Sequence, residues 1–343
     1  MSDLDLGALE SWMSQTTPHL GAPVQAEKFA GGQSNPTYRL RTQNGAAVLR
    51  RKPFGSILPS AHAVEREYRL MEALHPTGFP VPQPYALCED AGVIGSPFYL
   101  MVMAEGRNIA DGGLPGVSPP NRRAMYDAMI DTLAALHSID PQAVGLGEFG
   151  KPGNYFARQV ERWTKQYRAA QTDRIKEVEC LVAWLPTTVP VQDRVSIIHG
   201  DYRIDNVIFA ESAPEVVAVI DWELSTLGDP LADFAYLAMN WILPSDGRAG
   251  LAGLDLDALG IPTLEVATER YCAATGRASL PDLHWYFAYN LFRLVGILQG
   301  VKKRLEQGNA SGANAALMVA KIEPLAREAA AQMERAQARG KRR

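Results

Sequence analysis

Residues 197–206 read Ile-Ile-His-Gly-Asp-Tyr-Arg-Ile-Asp-Asn, and residues 219–223 read Val-Ile-Asp-Trp-Glu. Short apolar runs therefore lead into three short-reach oxygen side chains: Asp201, Asn206 and Asp221. Such a set suits phosphoryl transfer. One carboxylate accepts or orients the proton of a hydroxyl nucleophile, while hard oxygen ligands hold Mg2+ against phosphates. Mg2+ keeps several waters, so two protein ligands suffice. Asp201 is the candidate base, and Asn206 and Asp221 are the candidate metal pair. The competing reading makes all three turn residues, since Asp, Asn and Gly are common in turns. Three groups at this spacing favour chemistry where His-Gly-Asp alone would not.

These residues need elements to hold them. Apolar runs at 195–198, 207–209 and 216–220, separated by polar loops, read as a β island. Around it the pattern is helical, as at 121–137, 155–170 and 283–305. The first third differs. A short amphipathic helix carries Leu6, Leu9, Trp12 and Met13; alternating runs at 37–41 and 46–52 then flank Gln43-Asn44-Gly45, where Asn-Gly signals a hairpin. A helix is expected from Ser60, as N-cap, to about Leu74, followed by a strand pair over roughly 84–103. The layout predicts an α+β chain of two lobes: residues 1–103, small and β-rich with one key helix, and residues 104–343, mainly helical. The connector falls near 101–107, and a cleft between such lobes is a natural ligand site. On the helix after Ser60, Val64, Tyr68, Met71 and Leu74 form an apolar stripe that includes Glu67. A carboxylate there needs a cationic partner, unless Glu67 sits in a surface ion pair.

His-Gly-Asp with Asn five residues after the Asp also matches the spacing of the kinase loop H-R-D-L-x-x-x-N. HGDYRIDN with IDWELSTLGDPLADFAYL resembles the aminoglycoside phosphotransferase and choline kinase superfamily. More narrowly, the chain is similar to the kinase-like domain of certain acyl-CoA dehydrogenase family members and its bacterial stand-alone relatives. That likeness rests on Phe29–Asn35 (FAGGQSN), Val48–Pro53 (VLRRKP), Leu58–His62 (LPSAH) with Glu65–Tyr68, and Arg162-Trp163 with Gln166-Tyr167.

The resemblance implies a protein-kinase-like fold that binds ATP and Mg2+, with Asp201 as base, Asn206 and Asp221 on the metal, and His199 bracing the loop. It places Arg50 as the partner of Glu67 that reaches the nucleotide phosphates, although Lys52, on the same strand face, competes. Gly32 and Ser34 fall in the phosphate-covering loop, and Met103 and Glu105 lie at the connector against adenine. Asp229 is expected as a helix cap and Asp233 as a structural bond to the catalytic loop. Glu223 is a possible helper at the metal.

The acceptor is expected to be a small molecule with a hydroxyl, and Arg203, Arg162, Trp163 and Tyr167 are its candidate contacts; Asn240, Trp241, Tyr289 and Arg293 are weaker ones. Arginines and aromatics suit an anionic or apolar acceptor, such as a hydroxy acid or hydroxyacyl thioester, better than a polycationic aminoglycoside. Antibiotic phosphorylation, or nucleotide binding without catalysis, are the alternatives. A protein kinase is disfavoured because Asp221 runs almost directly into Gly228-Asp229-Pro230, leaving little room for a peptide platform.

Bulk properties fit this reading. The 343 residues are 47% hydrophobic and 21% charged, with a net charge of −4 that gives no reason to expect nucleic acid. No run approaches the roughly 18 apolar residues of a membrane span. Three scattered cysteines and an acidic N-terminal stretch without a signal-peptide pattern suggest a cytoplasmic protein. Oligomeric state is not legible.

Overall fold

The computed structural model describes residues 4–29, 35–54, 63–246, 248–308 and 313–340. Helix α1 (Leu6–Thr16) is capped by Asp5, whose carboxylate accepts from the Ala8 N–H at 3.0 Å. Strands β1 (Pro23–Lys28), β2 (Thr37–Thr42), β3 (Gly45–Arg51), β4 (Pro84–Cys88) and β5 (Phe98–Val102) form an antiparallel sheet in the order β1-β2-β3-β5-β4. The expected hairpin joins β2 to β3, but Gln43 and Asn44 make its two-residue loop. Gly45 (φ +151°) already pairs with Thr42, taking a backbone region that side chains rarely adopt.

Alternation splits the sheet. Ala47 and Leu49 of β3 and Phe98 and Leu100 of β5 pack towards α1, with Trp12 edge-on to Phe98. Val48, Tyr99 and Met101 face the other way, onto α2 (Val64–Leu74). Helix α2 buries Val64, Glu67, Leu70, Met71 and Leu74. Leu70 thus joins the expected stripe, while Tyr68 is only half-buried at its side. The segment expected to start this helix, including Ser60, lies outside the described residues.

The chain leaves the sheet after Val102, and its next strand, β6 (Arg107–Asn108), pairs with β8 (Val207–Phe209) in the other lobe. Gly106 between them takes φ +149°, and a Cβ there would lie 2.2 Å from the Phe209 carbonyl oxygen. Strand β9 (Val216–Val219) completes this small sheet, and β7 (Ser196–Ile198) pairs with β10 (Thr226–Gly228). Helices surround the strands: α3 (Pro119–Ser138), α4 (Tyr155–Ala170), α5 (Lys176–Trp184), α6 (Leu231–Ala238), α7 (Leu256–Leu259), α8 (Leu264–Thr275), α9 (His284–Glu306), α10 (Ala313–Val319) and α11 (Ile322–Gly340). Helix α9 is the pillar, packed by α4, α6 and α11. One apolar core runs from α2 through this lobe. No described helix is long and apolar enough to cross a membrane.

Candidate active site

Two turns carry the candidate residues of the C-lobe, and Arg50 reaches them from the N-lobe sheet. After β7 the chain passes through His199 and Gly200 to Asp201. Gly200 has φ +86°, and a Cβ there would meet the Leu224 carbonyl oxygen at 2.7 Å, so glycine is required. Asp233 fixes this turn from α6: its carboxylate accepts the His199 N–H at 2.6 Å and the Gly200 N–H at 2.7 Å, with His137 Nε2 at 3.4 Å. Burial opposes a charge on Asp233, but these hydrogen bonds and the His137 and His199 rings hold its carboxyl below the usual range.

His199 is fully buried. Its Nδ1 accepts the Asp201 N–H at 3.2 Å, which assigns the proton to Nε2, the donor to the Ile220 carbonyl at 2.9 Å. The ring therefore ties the Asp201 turn to the Asp221 turn and spends both nitrogens doing so. Asn206 closes the first turn. Its Nδ2 donates to the Asp201 carbonyl at 2.9 Å and to Asp201 Oδ2 at 3.1 Å, while its carbonyl accepts the Ile220 N–H at 2.9 Å. Asp221 has left-handed dihedrals (φ 67°, ψ 62°). For a non-glycine residue this costs about 1–3 kcal/mol, a cost that persists where surrounding bonds over-determine the backbone.

The N-lobe reaches the same point through Arg50. Its guanidinium lies 2.9 Å from Glu67 Oε2, 2.7 Å from Asp221 Oδ1 and 3.5 Å from Glu223 Oε2. Lys52 instead pairs with Glu65 at 2.8 Å, so Arg50 is the partner of Glu67. Glu67 is buried and also accepts from Asn35 Nδ2 at 2.8 Å and the Tyr99 hydroxyl at 3.1 Å. Burial pulls Arg50 down, but Glu67, Tyr99, Asp221 and Glu223 outweigh it and hold the guanidinium charged. Burial pushes the Glu67 carboxyl up to about 7, Asp221 and Glu223 push the same way, and Arg50 opposes them. The two directions conflict, and the contacts decide for the ion pair: two donors and a guanidinium converge on Glu67, which suits a carboxylate and not an acid.

Three carboxylates around one guanidinium leave a surplus of negative charge. The Ile220 N–H bond to the Asn206 backbone carbonyl joins Asn206 to the Asp221 turn, and its side-chain amide adds an oxygen acceptor. Asp221 and Asn206, with Glu223 behind them, thus fit a hard divalent cation that takes its remaining ligands from phosphate and water. Among the described residues no three His, Cys, Asp or Glu side chains form a closed metal cage.

The other expected residues fall as follows. Arg203 lies 3.4 Å from Asp201 Oδ2 and 2.9 Å from Asp205 Oδ2. Trp163 is half-buried, between an exposed Arg162 and Arg293. Tyr167 departs from expectation: it is fully buried with its ring against Phe292, so it packs α4 onto α9 and offers an acceptor no surface. Met103 packs against the core and Glu105 is exposed, both just past β5. Asp229 accepts the Leu231 N–H at 2.9 Å, at the start of α6. Gly32 and Ser34 lie outside the described residues. Sequence reasoning gave no role to Asn35 or Tyr99, though Asn35 closes the FAGGQSN segment and Tyr99 alternates onto the α2 face. Two surface cavities of about 640 and 980 Å3, one against α5 and α11 and one among α8, α9 and α11, share no residue with this site. Converging chemistry, not cavity size, locates it.

A two-lobed chain with these groups in its cleft has the build of a kinase-type phosphotransferase. The phosphotransferase enzyme family matches residues 25–270, and the chain belongs to it. Acyl-CoA dehydrogenase family member 10 of mouse is 48% identical over 299 residues, which are 87% of this chain and 28% of that protein. The chain thus spans well under half of this curated relative. A Ralstonia eutropha structure with the provisional label aminoglycoside phosphotransferase is 46% identical, with a TM-score of 0.88 over 97% of this chain and 99% of that one. Aminoglycoside phosphotransferase APH(4)-Ia, solved with AMP-PNP and hygromycin B, shares the fold at 13% identity (TM-score 0.59; 94% and 98% covered).

Proposed function

We propose that the chain transfers the γ-phosphoryl group of ATP, as its Mg2+ complex, to a hydroxyl of a small hydroxy acid or hydroxyacyl thioester. The observation that carries this reading is the convergence of Asp201, Asn206 and Asp221 with the Arg50–Glu67 pair in one cleft. Asp201 accepts the acceptor's hydroxyl proton; the Asn206 amide at 3.1 Å and the Arg203 guanidinium at 3.4 Å aim its carboxylate. Arg50, fixed by Glu67, places a permanent charge beside the metal pair, where nucleotide phosphates would lie. Mg2+ bound by Asn206 and Asp221 would offset charge on the phosphates. His199 and Asp233 hold the two turns in register and move no proton.

The nucleotide reading also draws on the AMP-PNP complex of the fold relative. For the acceptor, the cations beside the base, Arg203 and Arg293, disfavour a polycationic aminoglycoside. The test is Mg2+-dependent ADP release across hydroxy acids, hydroxyacyl thioesters, choline, sugars and aminoglycosides. Stimulation by the acids or thioesters supports the reading. Stimulation by aminoglycosides alone would replace the acceptor class, and no stimulation by any acceptor would leave a nucleotide-binding module.

A further inference from the structure

Helix α9 brings a second cation to the catalytic turn. Arg293 is buried, with 8% of its surface exposed, and among the described residues no carboxylate lies within ion-pair distance of it. One terminal nitrogen donates to the Gly200 carbonyl at 2.8 Å, the peptide that precedes Asp201. The guanidinium carbon lies 5.1 Å from the Tyr236 ring centroid and 5.5 Å from that of Trp163. Among the described residues its Nε–H has no acceptor. One turn earlier, Asn290 is 1% exposed, and neither its amide oxygen nor its nitrogen has a partner among the described residues.

This differs from the other site arginines. Arg50 meets three carboxylates, and Arg203 meets Asp201 and Asp205. Asp201 acts on the Arg293 charge from beyond contact, but its carboxylate is engaged by Arg203 and Asn206. Two ring contacts recover only part of what desolvating a guanidinium costs. One carbonyl and two rings brace the loop without balancing a buried charge. The missing counter-ion then arrives with the acceptor.

We propose that Arg293 is the specificity-determining residue of the acceptor site, binding a carboxylate on the same small molecule whose hydroxyl meets Asp201, with Asn290 supplying further polar contact. This rests on Asp201 being the base of a hydroxyl phosphotransferase, and adds that the acceptor is recognised as a free acid. Because the guanidinium bonds the residue next to the base, hydroxyl and carboxylate must be only a few bonds apart.

The test measures binding apart from turnover. Short and long 2-, 3- and 4-hydroxy acids, with their matched diols and methyl esters, are titrated by calorimetry into the protein saturated with Mg2+ and AMP-PNP. The wild type should prefer an acid over its diol and ester by at least about tenfold, the scale of a buried charge-assisted hydrogen bond. Arg293→Gln should abolish that preference and Arg293→Lys retain part of it, both with AMP-PNP affinity within about threefold of wild type, which reports intact lobes. No acid preference across the series overturns the proposal, as does a preference that survives in Arg293→Gln. Esters bound as tightly as acids would show carbonyl recognition and overturn the free-acid assignment. If Arg293→Gln fails to fold, the wild-type series and Arg293→Lys decide. Turnover with ATP separates the two readings: acid preference without ADP release sinks the kinase, and ADP release without acid preference sinks only the role of Arg293.

Discussion

Replacing Arg50 with Met keeps most of the aliphatic stem and removes the guanidinium, leaving Glu67 buried with 3% of its side chain exposed. Asp221 and Glu223 are 34% and 26% exposed, so water screens them and they add little. The loss falls on Glu67, and breaking a buried pair by removing one partner costs about 3–5 kcal/mol. Unfolding entropy of about 2.1 cal/mol/K per residue over 343 residues makes each degree worth about 0.7 kcal/mol. The melting temperature should therefore fall by about 4–7 °C in scanning calorimetry. Adding Glu67→Leu should recover most of that, since replacing both members of a buried pair with apolar groups is often nearly neutral. Mg2+ should raise the melting temperature of Arg50→Met more than that of the wild type, because the carboxylates left behind have lost their cation. A single variant within about 1 °C of wild type would refute the reasoning and show that water already screens the pair.

Asp233→Asn places an amide where two backbone N–H groups converge, and should cost about 3 kcal/mol in denaturant titrations while also lowering turnover. Burial pushes the Asp229 carboxyl up to about 6 against the pull of the Leu231 N–H. A raised folded value means its stabilising contribution is complete below the unfolded value and lost as pH rises through about 6. Stability measured from pH 4 to pH 7 should therefore fall more steeply in wild type than in Asp229→Asn, by on the order of 3 kcal/mol. Gly106→Ala drives a methyl into the Phe209 carbonyl and should destabilise by about 2 kcal/mol or more, read as a lower denaturation midpoint.

What the sequence offered of the candidate site was local. Asp201, Asn206 and Asp221 sit in short turns after apolar runs, and Glu67 interrupts an apolar stripe on one helix, so spacing alone nominated them. Contacts between segments far apart in the chain were not legible without a fold. Arg50 meets Asp221 across 171 positions, and Arg293 meets Gly200 across 93. Alternation put Arg50 and Lys52 on one strand face and could not choose between them; the seating of α2 does, giving Glu67 to one and Glu65 to the other. Tyr167 reads from its helix as either a core residue or an acceptor contact, and only the packing of α4 on α9 shows it enclosed. The hairpin loop shifted by one residue because Gly45 tolerates its positive φ inside the first strand pair.

The most direct measurement pairs turnover with nucleotide affinity in Asp201→Asn. The carboxylate is lost while the Asn206 amide, the Asp221 turn and the Arg50–Glu67 pair remain. Acceptor-stimulated ADP release should fall by about 10²–10⁴-fold or more, the scale of general base catalysis, with Mg2+-ATP affinity nearly unchanged. Near-normal turnover in this variant would contradict the assignment of Asp201 and, with it, the mechanism built on the site.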